Sequence, residues 1–264
     1  MSQLVFERFT QIVRSVLGTD SARTIVELGA RDCVETLDFE SAFPEARIFA
    51  FECNPATLPA CRLAVRGRSR IKLVEKAVSD RRGTVTFYPT DPARTVTKHP
   101  NGNPGASSLF RASPDYPHET YVQNEIAVET TTLKDFMSEE GIASIDLLWM
   151  DIQGAELLAL KGLGDCLSEV GLIHMEVEFL PIYQGQPLFV DVHDYLRGHG
   201  FTLLGFTSYS RYSGDAVYAS PRRAGIIDAV KLGLKYPYLI RTRLDRFRHW
   251  IKRVLLRRSP APAR

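Results

Sequence analysis

Short apolar runs alternate with helical segments along most of this chain of 264 residues. The run at 144–151, SIDLLWMD, is apolar on both sides and predicts a strand at the centre of a sheet, where both faces are buried. Strands that alternate with helices predict an α/β fold: a doubly wound, mostly parallel sheet with right-handed crossovers. The predicted strands are 24–28, 47–52, 71–75, 83–88, 125–131, 144–151, 172–177, 201–206 and 216–219, and the predicted helices are 1–18, 33–42, a segment after Pro55, 155–161 and 190–198.

Residues 89–120 interrupt this alternation. The segment contains six prolines and two glycines, so no long helix or strand is expected within it. A loop of this length inside a compact domain is either functional or a tolerated surface insertion. The functional alternative is a lid over a substrate site.

Composition places the chain among ordinary globular proteins, with 44% apolar and 24% charged residues. The four cysteines form no C-x-x-C pair, which argues against a zinc knuckle or a disulfide framework and fits reduced thiols in a cytosol. Charged residues interrupt the first segment, and no run approaches the roughly 20 apolar residues of a spanning helix. We therefore expect a cytoplasmic protein.

Charge divides the chain into a body at 1–220 and an extension at 221–264. From Ser220 onward there are 13 Lys or Arg and two Asp, a formal charge of +11, so the body carries −9 of the net +2. Apolar residues recur at helical spacing among the cations of 238–258, and Trp250 suits a membrane interface. This basic amphipathic helix either contacts an anionic inner membrane surface peripherally or packs back on the body. The acidic body opposes binding to nucleic acid.

Two residues mark a ligand site at the carboxyl edge of the predicted sheet, where open parallel sheets bind their ligands. Gly29 follows the first strand and lets the backbone turn close to a ligand. The G-x-G-x-x-G pattern of a dinucleotide cradle is absent, which favours a nucleoside over NAD. Glu52 follows the second strand, about 20 residues after the glycine, and suits a ribose diol.

The stretch LLWMDIQGAE at 147–156 is the most informative. It predicts Asp151 at the carboxyl end of a buried strand and Glu156 in the first turn of the next helix. Burial near other carboxylates raises a pKa, so Asp151 is a candidate general base. His174 and Glu176, on one face of a later strand, are further candidates.

In these blocks the chain resembles the FkbM family of methyltransferases. Four blocks match in order within about residues 22–207: VELGARDC at 26–33, FAFECNP at 49–55, EKAVSD at 75–80, and VETTTLKDF with SIDLLWMDIQGAE within 128–156. LIHMEVE at 172–178 follows in the expected place. The resemblance implies a seven-stranded class I methyltransferase fold, S-adenosylmethionine as cofactor and a hydroxyl as acceptor. In the first loop, Arg31, Asp32 and Cys33 stand where members of the family more often carry a small residue and asparagine, then a later glycine.

The same resemblance implies the cofactor-binding residues. These are Glu27, Gly29 and Ala30 at the methionine moiety, Glu52 at the ribose, Ala77 and Val78 at the adenine, and Asp151 beside the transferable methyl.

The catalytic candidates are Asp151, His174 and Glu176, since attack by a hydroxyl requires removal of its proton. We predict no metal, because no ligand spacing enforces a site; the alternative is an oxygen-rich Mg²⁺ site of these three residues with Glu178. Candidate acceptor-lining residues are Tyr183, Gln184 and Gln186, and Ser107, Ser108, Leu109 and Phe110 in the insertion.

These features predict an S-adenosylmethionine-dependent O-methyltransferase acting on a small-molecule or glycan acceptor: a sugar, polyketide or lipid-linked glycan. The alternatives are an N-methyltransferase of similar fold, an NAD-dependent oxidoreductase, which the missing glycines disfavour, and a non-catalytic scaffold recruited by its basic extension.

Overall fold

The structure, a computed structural model, describes residues 3–17 and 22–224. The strands are β1 (Thr24–Leu28), β2 (Arg47–Phe51), β3 (Ile71–Val74), β4 (Ala77–Val78), β5 (Gly83–Phe87), β6 (Ile126–Thr131), β7 (Ile145–Met150), β8 (Val170–Glu178), β9 (Thr202–Tyr209) and β10 (Ser213–Ala219). The helices are α1 (Gln3–Leu17), α2 (Val34–Ala42), α3 (Leu58–Ala64), α4 (Leu133–Glu139), α5 (Glu156–Lys161), α6 (Phe189–Gly198) and α7 (Pro221–Ala224).

Seven strands form the main sheet in the order β3-β2-β1-β7-β8-β10-β9. All neighbours are parallel except β10, which is antiparallel to β8 and β9. The chain leaves β1 towards β2 and β3 and later returns to place β7 on the other side of β1. The strand order thus reverses between β1 and β7, and this opens a crevice at their carboxyl ends. The predicted α/β fold with a seven-stranded, mostly parallel sheet is confirmed.

The two faces of the sheet bury separate cores. On one face α1 packs across the central strands, with Phe9 fully buried and its ring 5.0 Å from that of Trp149. The other face packs against α4, α5 and α6 through Phe136, Leu160 and Leu196. Burying one such side chain contributes roughly 1.5–3 kcal/mol, so the two layers fix the central strands on which the crevice is built.

A second, three-stranded sheet has the order β4-β6-β5 and carries the insertion. Between β5 and β6 the chain forms a short 3₁₀ helix at Pro104–Ala106 and isolated bridges, including Tyr88 with Ser108 and Ala112 with Tyr183. The expectation that 89–120 contains no long helix or strand agrees with this structure.

The predicted strands at 47–52, 71–75 and 144–151 extend past the observed ends, because Glu52, Glu75 and Asp151 already lie in the turns after the strands. The predicted list also lacks β4 and α4. The basic helix predicted within 221–264 lies outside the described residues from 225 onward. No helix of the described part has the length and apolarity needed to cross a membrane.

Candidate active site

A cavity of about 370 Å³ lies at the carboxyl edge of β1, β2, β7 and β8, under the insertion. Its floor is the crevice at the switch in strand order, the position at which open α/β sheets bind ligands. Pro104, Gly105, Ser107 and Leu109 close it from the insertion. The insertion therefore forms part of the cavity wall, and its role as a lid stays a prediction.

The turn after β1 is compact because Gly29 touches the turn after β7. The Gly29 backbone has φ +88°, and a Cβ atom there would lie 2.1 Å from the backbone oxygen of Asp151. The Gly29 and Ala30 amides both donate to the Phe51 carbonyl, at 3.0 and 2.9 Å. Only glycine fits this crossing, which keeps the wall of the cavity free of a side chain.

Glu52 organises the loops after β1 and β2. Its Oε2 atom accepts a hydrogen bond from the Arg31 amide at 2.8 Å, and its Oε1 atom accepts from the Cys53 and Asn54 amides at 2.8 and 2.6 Å. Burial raises the pKa of Glu52, and the three amides oppose that rise. Glu52 also lines the cavity, so a ligand that enters the cavity can reach its carboxylate.

The end of the cavity nearest the second sheet is apolar. Ala77, Val78, Phe87 and Leu109 line it, together with Cys53. Leu109 is one of the predicted acceptor-lining residues, but here it lies beside Ala77 and Val78, the predicted adenine positions. An apolar slot of this kind suits a flat heteroaromatic ring.

The opposite end of the cavity is acidic. Asp151, Glu176 and Asp215 line it, and Glu176 is the register partner of Asp215 across β8 and β10. The Gln153 side-chain amide donates to Asp151 Oδ1 at 2.7 Å and to Glu176 Oε2 at 2.8 Å. Gln153 thus holds two carboxyl groups together, although its backbone has φ +54°.

The acidic end is poised to exchange protons. Asp151 is surrounded by protein but is open to solvent through the cavity. Burial raises the pKa of Asp151, and hydrogen bonding from Gln153 and the charge of Arg31 oppose this rise. Burial and the charge of Asp151 raise the pKa of Glu176 well above its usual range. Burial raises the pKa of Asp215 to about 6. The three carboxyl groups therefore take up protons at higher pH than solvent-exposed carboxyl groups do.

Glu27 and His174 lie on either side of Trp149 in one row across β1, β7 and β8. Glu27 accepts a hydrogen bond from the Thr36 hydroxyl, and burial raises the pKa of Glu27 to about 8. The ring of His174 stacks on that of Trp149 at 3.8 Å. Its Nε2 atom lies 2.9 Å from the Thr207 hydroxyl, and burial lowers the pKa of His174 to about 3. At neutral pH both side chains are therefore uncharged in this structure.

The insertion is fastened to the turn after β7. The Ser108 hydroxyl donates to the Gln153 carbonyl at 2.7 Å, and the Tyr183 hydroxyl lies 2.8 Å from Gln153 Oε1 and 3.0 Å from the Ala106 carbonyl. Tyr183 is fully buried, so it supports the cavity from behind rather than lining it.

The remaining predicted residues divide between the cavity wall and its support. The cavity wall includes Glu27, Gly29, Glu52, Ala77, Val78, Ser107, Leu109, Asp151, His174 and Glu176. Ala30 instead packs with Cys33, Ala50 and Cys61 in a small cluster, outside the cavity wall, and its place beside the ligand stays a prediction. Gln184 donates to the Ala112 carbonyl, and Gln186 accepts from the Ile182 amide. The cavity wall does not include Ser108 or Phe110.

Sequence reasoning missed Asp215, Phe87 and Arg31 in the cavity wall. Asp215 could have been found from the alternation of β10, which places it two residues before the buried Val217. Phe87 belongs to a strand of the second sheet, and no motif marks it. Among the described residues, no group of three or more His, Cys, Asp and Glu is arranged to hold a metal ion.

Comparison with known proteins shows the family to which this chain belongs. The model described as the Methyltransferase FkbM domain matches residues 27–203. The 2-O-methyltransferase NoeI of Sinorhizobium fredii (strain NBRC 101917 / NGR234) is 32% identical over 170 residues, 61% of this chain and 66% of that relative, so the match spans just under two thirds of NoeI. The 31-O-demethyl-FK506 methyltransferase FkbM of Streptomyces tacrolimicus is 28% identical over 198 residues, 68% of this chain and 73% of that relative.

Among solved structures, the METTL16 MTase domain aligns with 84% of this chain and 70% of its own, at 11% identity and a TM-score of 0.48. This likeness is too distant to bear on the site.

Proposed function

We propose, since the chain belongs to the FkbM methyltransferase family, that it is an S-adenosylmethionine-dependent O-methyltransferase. Its acceptor is a hydroxyl group on a sugar, a polyketide or a lipid-linked glycan. The names of two relatives support oxygen as the acceptor atom: one is a 2-O-methyltransferase, and the other acts on 31-O-demethyl-FK506.

One observation carries the proposal: three chemically different parts follow one another along a single cavity. Ala77, Val78, Phe87 and Leu109 form the apolar end, Glu52 lies between the ends, and the carboxyl cluster forms the other end. An adenine fits the apolar slot, and ribose hydroxyls can donate to the Glu52 carboxylate in the cavity wall. The cationic sulfonium and ammonium groups suit the acidic end.

The crossing at Gly29 fits the same cofactor. A Cβ atom at this position would collide with the Asp151 backbone, so the bare turn brings the ends of β1 and β7 together at the cavity wall. The cofactor could then lie against the turn with its reactive end at Asp151. A turn without a side chain leaves room at the switch in strand order for a nucleoside with an attached amino acid.

When bound, the cofactor supplies a methyl group on a positively charged sulfur, and sulfur keeps the electron pair of the broken C–S bond when the acceptor oxygen forms its bond to carbon. The residues of the chain orient the acceptor and remove its proton. Asp151 takes the hydroxyl proton as the oxygen attacks, and Glu176 hydrogen-bonds the acceptor from the neighbouring strand. A positioned base contributes about 10²–10⁴-fold in rate.

His174 is not kept as the base in this proposal. A carboxylate whose pKa is raised by burial removes a proton better than an imidazole whose pKa burial lowers to about 3. The stacking of His174 on Trp149 and its contact with Thr207 fix the floor of the cavity instead.

The proposal is tested first by calorimetric titration of the whole chain with S-adenosylhomocysteine, with NAD⁺ as the comparison. We expect saturable binding of S-adenosylhomocysteine and none of NAD⁺. Glu52→Ala removes the ribose contact, and we expect weaker binding without a change in stoichiometry. Well-folded protein that binds neither ligand would overturn the methyltransferase proposal and favour the scaffold.

The acceptor atom is tested by transfer of an isotopically labelled methyl group to matched sugars. Each pair would carry either a hydroxyl or an amino group at the same ring carbon. Label transferred to the hydroxyl member supports O-methylation. Transfer to the amino member alone would favour the N-methyltransferase alternative.

A further inference from the structure

We propose that Arg31 binds the α-carboxylate of the cofactor's methionine moiety; the inference rests on the proposed function above. Arg31 lies in the cavity wall directly after the Gly29 turn.

An anionic ligand group in this cavity requires a cation beside it, because the described part of the cavity wall is rich in carboxyl groups. The methionine moiety carries one positive ammonium and one negative carboxylate, and the acidic groups suit the first and repel the second. Arg31 and Lys76 are the basic side chains of the wall. The carboxyl groups of the wall belong to Glu27, Glu35, Glu52, Asp151, Glu176 and Asp215.

The guanidinium of Arg31 has donors to spare. Its Nη2 atom lies 3.2 Å from both carboxylate oxygens of Asp32. Its Nη1 and Nε atoms form no hydrogen bond with any residue at 3–17 or 22–224. A guanidinium offers five N–H donors in a planar fork, which matches the geometry of a carboxylate. Asp32 therefore leaves part of that fork open to a ligand.

The backbone of Arg31 is fixed at the right place along the cavity. Its amide donates to Glu52 Oε2 at 2.8 Å, and its carbonyl accepts from the Cys61 thiol at 3.1 Å. A Cβ atom added to Gly105 would lie 3.8 Å from Arg31 Nη1, so the insertion lies over the guanidinium. The charge of Asp151 also acts on Arg31. Arg31 thus lies between Glu52, the proposed ribose contact, and the acidic end of the cavity, where the methionine moiety would extend.

Lys76 is at the wrong end for this role. It precedes Ala77 at the apolar slot, and its ammonium pairs with Glu129 at 3.2 Å. Because Lys76 lies at the apolar slot, away from the acidic end, Arg31 is the better candidate for the carboxylate of the methionine moiety.

The test compares two ligands that differ only in the carboxylate: S-adenosylhomocysteine and its decarboxylated form. Calorimetric titration of the whole chain should show that Arg31→Met weakens the binding of S-adenosylhomocysteine by about tenfold to a hundredfold, the range for a hydrogen bond to a charged group. Binding of the decarboxylated ligand should change less than about threefold. Arg31→Lys keeps the charge without the fork and should give an intermediate loss.

Asp32→Asn is the matched control, because it removes the charge that pairs with Arg31 and leaves the guanidinium in place. It should not weaken the binding of S-adenosylhomocysteine. Arg31→Met replaces one unbranched side chain by another at φ +49°, and a thermal melt of each variant checks that it is folded. Equal effects of Arg31→Met on both ligands would overturn the inference while leaving the proposed function intact. Failure of the unsubstituted chain to bind S-adenosylhomocysteine would overturn the proposed function itself.

Discussion

Glu27 is 1% exposed, and its carboxyl group meets the Thr36 hydroxyl under the cavity. Burial raises the pKa of Glu27 to about 8 from its ordinary value of 4.5. The folded chain therefore holds a proton on Glu27 that the unfolded chain has released between these two values. The contribution of Glu27 to stability is complete below pH 4.5 and is lost as the pH rises towards 8.

Glu27→Gln keeps a polar side chain beside Thr36 but removes the proton equilibrium. We expect the variant to match the unsubstituted chain at pH 5 and to exceed its free energy of unfolding at pH 8.5 by roughly 2–4 kcal/mol, since each pKa unit corresponds to about 1.4 kcal/mol. Urea unfolding of ligand-free protein at the two pH values measures this difference. A difference that does not change with pH would show that Glu27 is ionised in the folded chain.

Gly29→Ala tests the crossing of the two turns. The added Cβ atom would lie 2.1 Å from the Asp151 backbone oxygen, and Gly29 has φ +88°, which is strained for any other residue. Relief of the contact requires a shift of the backbone at the end of a central strand. We expect a loss of more than about 3 kcal/mol in the free energy of unfolding, or failure to fold. Gly67→Ala is the control, because Gly67 has φ +77° and nothing within 4 Å of the added atom. It should cost only the backbone strain, about 1–2 kcal/mol.

At the scale of elements, the turn from β7 into α5 joins three parts of the site. The side-chain amide of Gln153, in this turn, donates to Asp151 and Glu176. The Gln153 carbonyl accepts from the Ser108 hydroxyl of the insertion, and its Oε1 atom accepts from the Tyr183 hydroxyl. A change in the insertion can therefore reach the carboxyl pair through a single side chain. This connection makes the turn a positioning element rather than a passive link.

Gln153→Met removes the amide that stabilises ionised Asp151. The pKa of Asp151 should rise, so a larger share of the enzyme holds the proton at any given acidic pH. We expect the acid limb of the kcat/KM profile to move to higher pH by about one unit, measured with the acceptor that accepts label in the transfer assay. Tyr183→Phe removes the hydroxyl that contacts Gln153 Oε1 but leaves the Gln153 amide beside Asp151, so it should shift the acid limb less. A uniform loss of kcat/KM with an unmoved limb would instead mean that Gln153 serves packing alone.

The elements that could be predicted are those whose burial pattern repeats. SIDLLWMD predicts β7 because both faces are apolar, and the sheet buries both. The helix α4 escaped prediction although Thr132 caps it by accepting from the Asp135 amide at 3.0 Å, a signal that T-x-x-D carries in the sequence. The lining by Leu109 depends on how the insertion packs onto the cavity, which no local pattern specifies.

For the whole molecule, strand order decides which of these residues meet. Four carboxyl residues of the cavity wall are distant in sequence: Glu27 in β1, Asp151 in the turn after β7, Glu176 in β8 and Asp215 in β10. The strand order β1-β7-β8-β10 places them side by side. The family motifs allow that order to be predicted, because they imply the fold as a whole. The raised pKa of Asp151 could be predicted from burial near other carboxylates, whereas that of Asp215 could not, since only the folded chain brings Asp215 to the cavity.

The charge of the whole molecule leads to a prediction about residues 238–258, which lie outside the described residues. The body at 1–220 carries −9 and the extension at 221–264 carries +11, so the basic segment can neutralise either the body or an anionic surface. We expect the full chain to sediment with vesicles that contain phosphatidylserine and not with pure phosphatidylcholine, and binding to weaken as salt rises. Replacing Arg241, Arg243, Arg246 and Arg248 by Gln should reduce the bound fraction at least tenfold, since each cation near such a surface contributes about 1 kcal/mol. If the variant binds as well as the parent chain, or if neither binds, the basic segment serves the body rather than a membrane. A thermal melt decides between these two readings of the segment, because cations that pair with the acidic body would lower the melting temperature when they are removed.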